Sequence, residues 1–279
     1  MSEECLVLLD NGSLRPDAVL SLRKIAKELG ALLEKAVHPV SLLHSSKIPA
    51  DELDGVEAQT WRRFLRQSLS VGVSRFRVVP LFFGPSSAIA DYLPKVTAEV
   101  MAKHGEATLK VVKTLLDPER PGDDGVARIL ADLIIQKMDT KSEGDRPGVI
   151  VVDHGSPLKV VADCRNRVAA QVEALLEGRV SSVSAASMER REGSEYDFNE
   201  PLLERALENA CSAGWKRLVL SYLFFSPGRH AGPGGDIDQI VADSRFAREG
   251  GVVDCASLVG KSPLLVPLLA RRYEESLAD

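Results

Sequence analysis

The chain has 279 residues, of which 44% are hydrophobic and 27% charged, and its formal net charge is −5. That length favours two domains over one, and the negative balance with scattered lysines and arginines argues against nucleic acid as a main partner. No apolar segment reaches bilayer length and the start Met1-Ser2-Glu3-Glu4 is acidic, so no membrane partner is expected and the cytoplasm is the expected compartment.

Strand-like and helix-like patterns alternate along the chain. In the first half, strands are predicted near Cys5, Val37, Phe76 and Thr108, each followed by a helical stretch. The polar stretch 139–147 reads as a linker. The second half opens with a continuous apolar strand at 148–152, then a helix at 159–176, a strand at 180–187 and a helix at 201–213. A strand at 217–225, a helix at 237–248, a strand at 252–257 and a helix at 264–276 complete four βα units. Repeated βα units specify a parallel sheet with helices on both faces. The expected architecture is α/β, with two tandem similar domains at 1–138 and 148–279, each a four-stranded parallel sheet flanked by helices, and a cleft between them. Cys5, Cys164, Cys211 and Cys255 have no C-x-x-C spacing and read as buried reduced thiols.

The two halves repeat one another. Asp10-Asn11-Gly12-Ser13 and Asp153-His154-Gly155-Ser156 each follow an apolar run, at an offset of 154 − 11 = 143. Val40-Ser41 pairs with Val183-Ser184 at the same offset, and Leu81-Phe82-Phe83 pairs with Leu223-Phe224-Phe225 at 223 − 81 = 142, a difference one single-residue indel accounts for. Such a long internal period implies two copies of one fold. In this register Asn11 faces His154, Ser46 faces Glu189 and Ala88 faces His230, so three metal- or proton-handling side chains stand in the second copy alone.

In open parallel sheets, ligands bind beyond the carboxyl ends of the strands. His154, Glu189 and His230 fall just past the first three strands of the second copy, so they are expected to converge on one mouth. Two imidazoles and a carboxylate suit Co2+, Fe2+, Ni2+ or Zn2+. Ser156, followed by Pro157, reads as a helix N-cap ahead of nucleophilic catalysis, and no Gly-x-Ser-x-Gly elbow is present. The loop Gly232-Pro233-Gly234-Gly235-Asp236 opens a helix that either receives an anion or forms a plain turn.

Three stretches resemble the sirohydrochlorin chelatase family, the class II cobalt- or iron-inserting relatives of ferrochelatase, in its long two-domain form. They are Val151-Val152-Asp153-His154-Gly155-Ser156, Asn199-Glu200-Pro201, and Leu223-Phe224-Phe225-Ser226-Pro227-Gly228-Arg229-His230 followed by Asp236-Ile237. The resemblance implies insertion of Co2+ or Fe2+ into sirohydrochlorin or a related tetrapyrrole, in cobalamin or sirohaem biosynthesis, with Ni2+ a further candidate metal. It implies no permanently bound cofactor, a metal ion and a tetrapyrrole as substrates, and a monomer or homodimer. It also implies that His154 and His230 are the metal- and proton-handling pair, with Glu189 as the strand-end glutamate and Glu200 as its rival. The first domain would then be a degenerate copy. The chain departs from the family pattern in the extended stretch 189–198 and in the extra residues between His230 and Asp236.

Metal insertion exchanges two pyrrole N–H protons for one divalent ion, and an imidazole can ligate the ion or take a proton near neutral pH. The acidic rim of such a macrocycle calls for cations, for which Arg190, Arg191, Arg229 and Lys159 are the candidates, with Ser156 and Glu200 beside them. From the first copy Asn11, Ser46, Ser86 and Ser87 are further candidate hydrogen-bonding groups. Two other classes compete: a non-catalytic tetrapyrrole or metal carrier, and a hydrolase or phosphatase using the His-Gly-Ser turn.

Overall fold

The computed structural model describes residues 4–138 and 146–278; of the stretch read as a linker, only Arg146 and Pro147 fall within this range. The first half supplies strands β1 (Cys5–Asp10), β2 (Val37–Ser41), β3 (Arg75–Pro80) and β4 (Thr108–Val111), and helices α1 (Pro16–Leu33), α2 (Trp61–Ser70), α3 (Leu93–His104) and α4 (Gly125–Met138). The second supplies strands β5 (Gly148–Asp153), β6 (Ser182–Ser187), β7 (Arg217–Tyr222) and β8 (Val252–Cys255). Its helices are α5 (Lys159–Leu175), α6 (Leu203–Ser212), α7 (Asp236–Asp243), α8 (Arg245–Arg248) and α9 (Leu265–Ala278).

The strands build two four-stranded sheets of the same order, β2-β1-β3-β4 and β6-β5-β7-β8, every neighbouring pair parallel. The central strands β5 and β7 are buried along their whole length, which in β5 shows as the continuous apolar run 148–152. The single helix expected at 237–248 is two: the chain turns extended at Ser244, whose hydroxyl accepts from the Ala247 N–H and caps α8. None of the four cysteines is in a disulfide, but only Cys164 is buried, so the expectation of four buried thiols holds for one.

Strand pairing corrects the register of the repeat. Asp10 lies opposite Ser41 and Asp153 opposite Ser187, so Ser41 corresponds to Ser187 (187 − 41 = 146), not to Ser184. On the other flank Leu9 meets Pro80 and Val152 meets Tyr222, an offset of 222 − 80 = 142. The connection before β6 is therefore three residues longer than its counterpart (146 − 143), and the one after it four shorter (146 − 142). Several residues shift instead of one, and the counterpart of Glu189 is Leu43 (189 − 146), not Ser46.

The compact units divide elsewhere than the repeats. One comprises Met1–Asp117 with Val266–Asp279, the other Pro118–Leu265. Helix α4, which follows the first sheet in sequence, buries Val126, Ile129, Leu130, Leu133 and Ile134 and packs on α5 and β7 of the second unit. Helix α9, which follows the second sheet, belongs to the first unit from Val266 onward. There the Arg77 guanidinium donates to the Ser276 carbonyl (2.8 Å), and Arg272 donates to the Leu115 carbonyl (2.7 Å). The domain boundaries 1–138 and 148–279 follow the repeat and not the cores, because an amphipathic helix shows that it is buried without showing against which sheet.

Each unit holds one tryptophan. Trp61 is fully buried in the first, its indole N–H donating to Thr97 Oγ1 at 2.9 Å. Trp215 in the second is half-buried and lies so close on Gly148 that a Cβ there would stand 2.1 Å from its ring.

Candidate active site

The carboxyl ends of β5 and β6 are joined by a backbone device that sequence alone did not reveal. Gly155 has φ +92°, and a Cβ on it would stand 1.9 Å from the Glu189 carbonyl oxygen. Only glycine lets these chains approach so closely. The Met188 N–H donates to the Asp153 carbonyl (2.9 Å) and the Glu189 N–H to the His154 carbonyl (3.2 Å), so the residues carrying the two side chains are bonded to each other. Gly12 repeats the device in the first copy, with φ +90° and a Cβ position 1.8 Å from the Leu43 carbonyl oxygen.

His154 and His230 meet. Their Nε2 atoms are 3.1 Å apart and their rings 4.6 Å centroid to centroid at a 75° tilt. One nitrogen must donate and the other accept, so two imidazole nitrogens converge on one point. A Glu189 oxygen lies 3.6 Å from His154 Nε2. His230 is backed by Asp236, whose Oδ2 lies 2.8 Å from its buried Nδ1 without the geometry of a hydrogen bond. The Arg229 and His230 carbonyls accept from the Asp236 and Ile237 N–H groups, closing the loop onto the start of α7.

Sequence placement thus brought together the three residues it singled out. Their arrangement is a histidine pair with a carboxylate alongside; among the described residues no group of three or more His, Cys, Asp or Glu side chains is arranged to hold a metal ion. The reason is that the Glu189 backbone is pinned while its side chain is exposed. Glu200, the rival, is engaged elsewhere: it accepts from the Leu202 N–H (3.0 Å) at the start of α6 and pairs with Arg190 (3.2 Å).

The remaining candidates are mostly committed. Ser156 does not cap α5, whose N-cap is Leu158; its hydroxyl accepts from the Leu158 N–H (3.1 Å) in the turn before the helix. Asn199 brackets the same residue, accepting from the Ser156 N–H (3.0 Å) and donating to its carbonyl (2.9 Å). Arg190 pairs with Asp197 as well as Glu200, Arg229 with Asp236 (3.2 Å) and Lys159 with Asp163 (2.6 Å). Arg191 is exposed and lies over the Tyr196 ring, 5.8 Å from its centroid. The glycine-rich loop is a plain turn, its Gly234 N–H satisfied by the Asp238 carboxylate at 2.7 Å.

Sequence reasoning missed the layer under this site. Asp153 accepts from Ser187 Oγ (2.7 Å) and the Gly155 N–H (3.1 Å), with the buried Arg165 guanidinium 3.4 Å away. A signal was present: an arginine on the apolar face of the helix predicted at 159–176, with Leu22 at its place in the repeat (165 − 143).

Comparison with known proteins bears on this geometry. Residues 148–276 match the CbiX family model, and no curated protein sequence matches the chain. The structure resembles SirB from Bacillus subtilis, solved with Fe3+, with a TM-score of 0.71 at 14% identity over 100% of this chain and 96% of that one. It resembles CbiX, described as the terminal enzyme for biosynthesis of siroheme in denitrifying bacteria, with a TM-score of 0.62 at 15% identity over 98% and 99%. DR2241 from Deinococcus radiodurans, a multi-domain protein similar to chelatases, gives 0.60 at 15% over 97% of this chain and 54% of that one. The class so defined is a chelatase fold made of two α/β units. The second repeat, residues 148–276, is similar to the CbiX family.

Proposed function

We propose that the protein inserts a divalent metal ion, Co2+ or Fe2+ with Ni2+ a further candidate, into sirohydrochlorin or a related tetrapyrrole, as cobalamin or sirohaem biosynthesis requires. The observation that carries this reading is the convergence of His154 and His230, Nε2 to Nε2 at 3.1 Å, with Glu189 beside them at the carboxyl ends of a parallel sheet. Ordinary metal–imidazole bonds are about 2.0–2.1 Å long, so one ion can bridge two nitrogens at that spacing. A pair of imidazoles grips an ion less tightly than the closed four-ligand set of a structural zinc site, which suits delivery.

The steps follow from these groups. The pair receives the ion, the macrocycle seats with its nitrogens toward the pair, and the ion passes to the ring as two N–H protons leave. The exposed Glu189 carboxylate accepts protons and hands them to water. Of the proposed rim cations, Arg190 and Arg229 must exchange their carboxylate partners for those of the substrate, whereas Arg191 meets them directly. The expected compartment is the cytoplasm; no described helix is long and apolar enough to cross a membrane.

The test is anaerobic insertion into sirohydrochlorin with Co2+, Fe2+ and Ni2+ in parallel, followed by the change in pigment absorbance. Wild type is expected to turn over many times, and His154→Ala and His230→Ala each to lose at least about 100-fold. Stoichiometric pigment binding without turnover would turn the assignment to a carrier, and turnover unchanged in both variants would remove the histidine pair from the mechanism.

A further inference from the structure

Arg165 stands where a helix should present an apolar residue. Its neighbours on that face of α5, Ala162, Val168, Ala169 and Val172, are buried, and Arg165 itself is 1% exposed. A buried guanidinium is costly unless its donors are matched, and here they are. Nη1 donates to Ser187 Oγ, to the Asn199 carbonyl (3.2 Å) and to Asp153 Oδ1 (3.4 Å). Nη2 donates to Asn166 Oδ1 (2.9 Å) and the Phe198 carbonyl (3.3 Å). Asp153 directly precedes His154, Ser187 lies two residues before Glu189, and Asn199 brackets Ser156. One side chain therefore ties together three segments around the site.

The first repeat is a control within the same molecule. Leu22 takes the place of Arg165, with Val19, Ile25, Ala26 and Leu29 buried around it as Ala162, Val168, Ala169 and Val172 are around the arginine. Asp10 and Ser41 remain in register with Asp153 and Ser187, yet Asp10 Oδ1 is buried without a hydrogen-bond partner. A cavity of about 150 Å³, lined by Leu22, Ser41 and Gln59 among others, lies beside the leucine. The sheet forms without the arginine, so the fold does not demand it. The arginine occurs in the repeat that also carries His154, Glu189 and His230.

We propose that Arg165 is a positioning residue that sets the spacing of His154 and Glu189, an inference that rests on the chelatase reading. It acts through Asp153 and Ser187 and touches neither metal nor pigment.

The test uses the full chain with Arg165→Leu, and with Asp153→Asn/Arg165→Leu, which leaves no unpaired buried carboxylate. Glu189→Gln is made in wild type and in both backgrounds. Co2+ affinity without pigment is read from visible absorption, and kcat and KM from insertion into sirohydrochlorin. We expect cooperative thermal unfolding in both arginine variants and a loss of about 10- to 100-fold in kcat or Co2+ affinity, with KM for the pigment little changed. Glu189→Gln, costly in wild type, should then cost no more than about threefold, because the carboxylate is already misplaced. Independent effects that multiply, wild-type kinetics in the folded variants, or failure of both to fold would each overturn the proposal. Absence of both Co2+ binding and insertion in wild type would instead sink the chelatase reading, and this inference with it.

Discussion

Asp10 and Asp153 end equivalent strands, yet only Asp153 has a guanidinium behind it. Burial pushes the Asp10 carboxyl up from 3.8 to about 6, with hydrogen bonds from Ser41 and Gly12 only partly opposing it. Between these values the folded chain holds a proton that the unfolded chain has released. Stability from this group is thus complete below about pH 4 and lost as pH rises through about 6, on the order of 3 kcal/mol in all. Asp10→Asn should abolish that component and be the more stable protein at pH 7, by up to about 3 kcal/mol; urea unfolding of both proteins from pH 4 to 8 measures the difference. Leu22→Arg, which copies the second repeat, should flatten the same profile by pairing the charge. Gly155→Ala belongs to this scale too. Its Cβ would meet the Glu189 carbonyl at 1.9 Å in a backbone of positive φ, so a loss of roughly 2 kcal/mol or more and a sharp fall in turnover are expected by thermal melting and insertion assay.

At the scale of elements, the strands were legible because buried parallel strands leave continuous apolar runs, as 148–152 does. His154, Glu189 and His230 were legible because strand ends in such sheets share one edge. The register across β2 and β6 was not, since two loop changes of opposite sign, three residues and four, nearly cancel over the repeat. Nor was the layer held by Arg165, whose bonds to Ser187, Phe198 and Asn199 join residues 22 to 34 positions apart. The placement of α4 was hidden for another reason: it depends on which sheet receives the helix. Helix α4 packs on α5 and β7, so a fragment 118–265 should unfold cooperatively by circular dichroism. A fragment 148–276, cut at the limits of the family match, should not, because it leaves those apolar surfaces uncovered and carries α9 without its partners. Equal melting of the two fragments would mean that α4 contributes little to the second core.

Taken whole, the molecule is acidic, while its two proposed substrates have opposite charge. A net charge of −5 draws in a divalent cation and repels a polycarboxylate, and both effects are screened by salt. Raising ionic strength from about 0.02 to 0.5 M should speed pigment association a few-fold and slow Co2+ association, as stopped-flow absorbance would record. Slower pigment association with salt would mean that Arg191 and its neighbours dominate the approach. The distribution of the two tryptophans has a further consequence. With Trp61 sealed in one unit and Trp215 resting on Gly148 in the other, each unit contains its own natural fluorophore. Trp61→Phe and Trp215→Phe would give two proteins whose emission reports on one unit at a time. Pigment arriving at the histidine pair would then announce itself as quenching of Trp215 in the Trp61→Phe protein, with no dye attached.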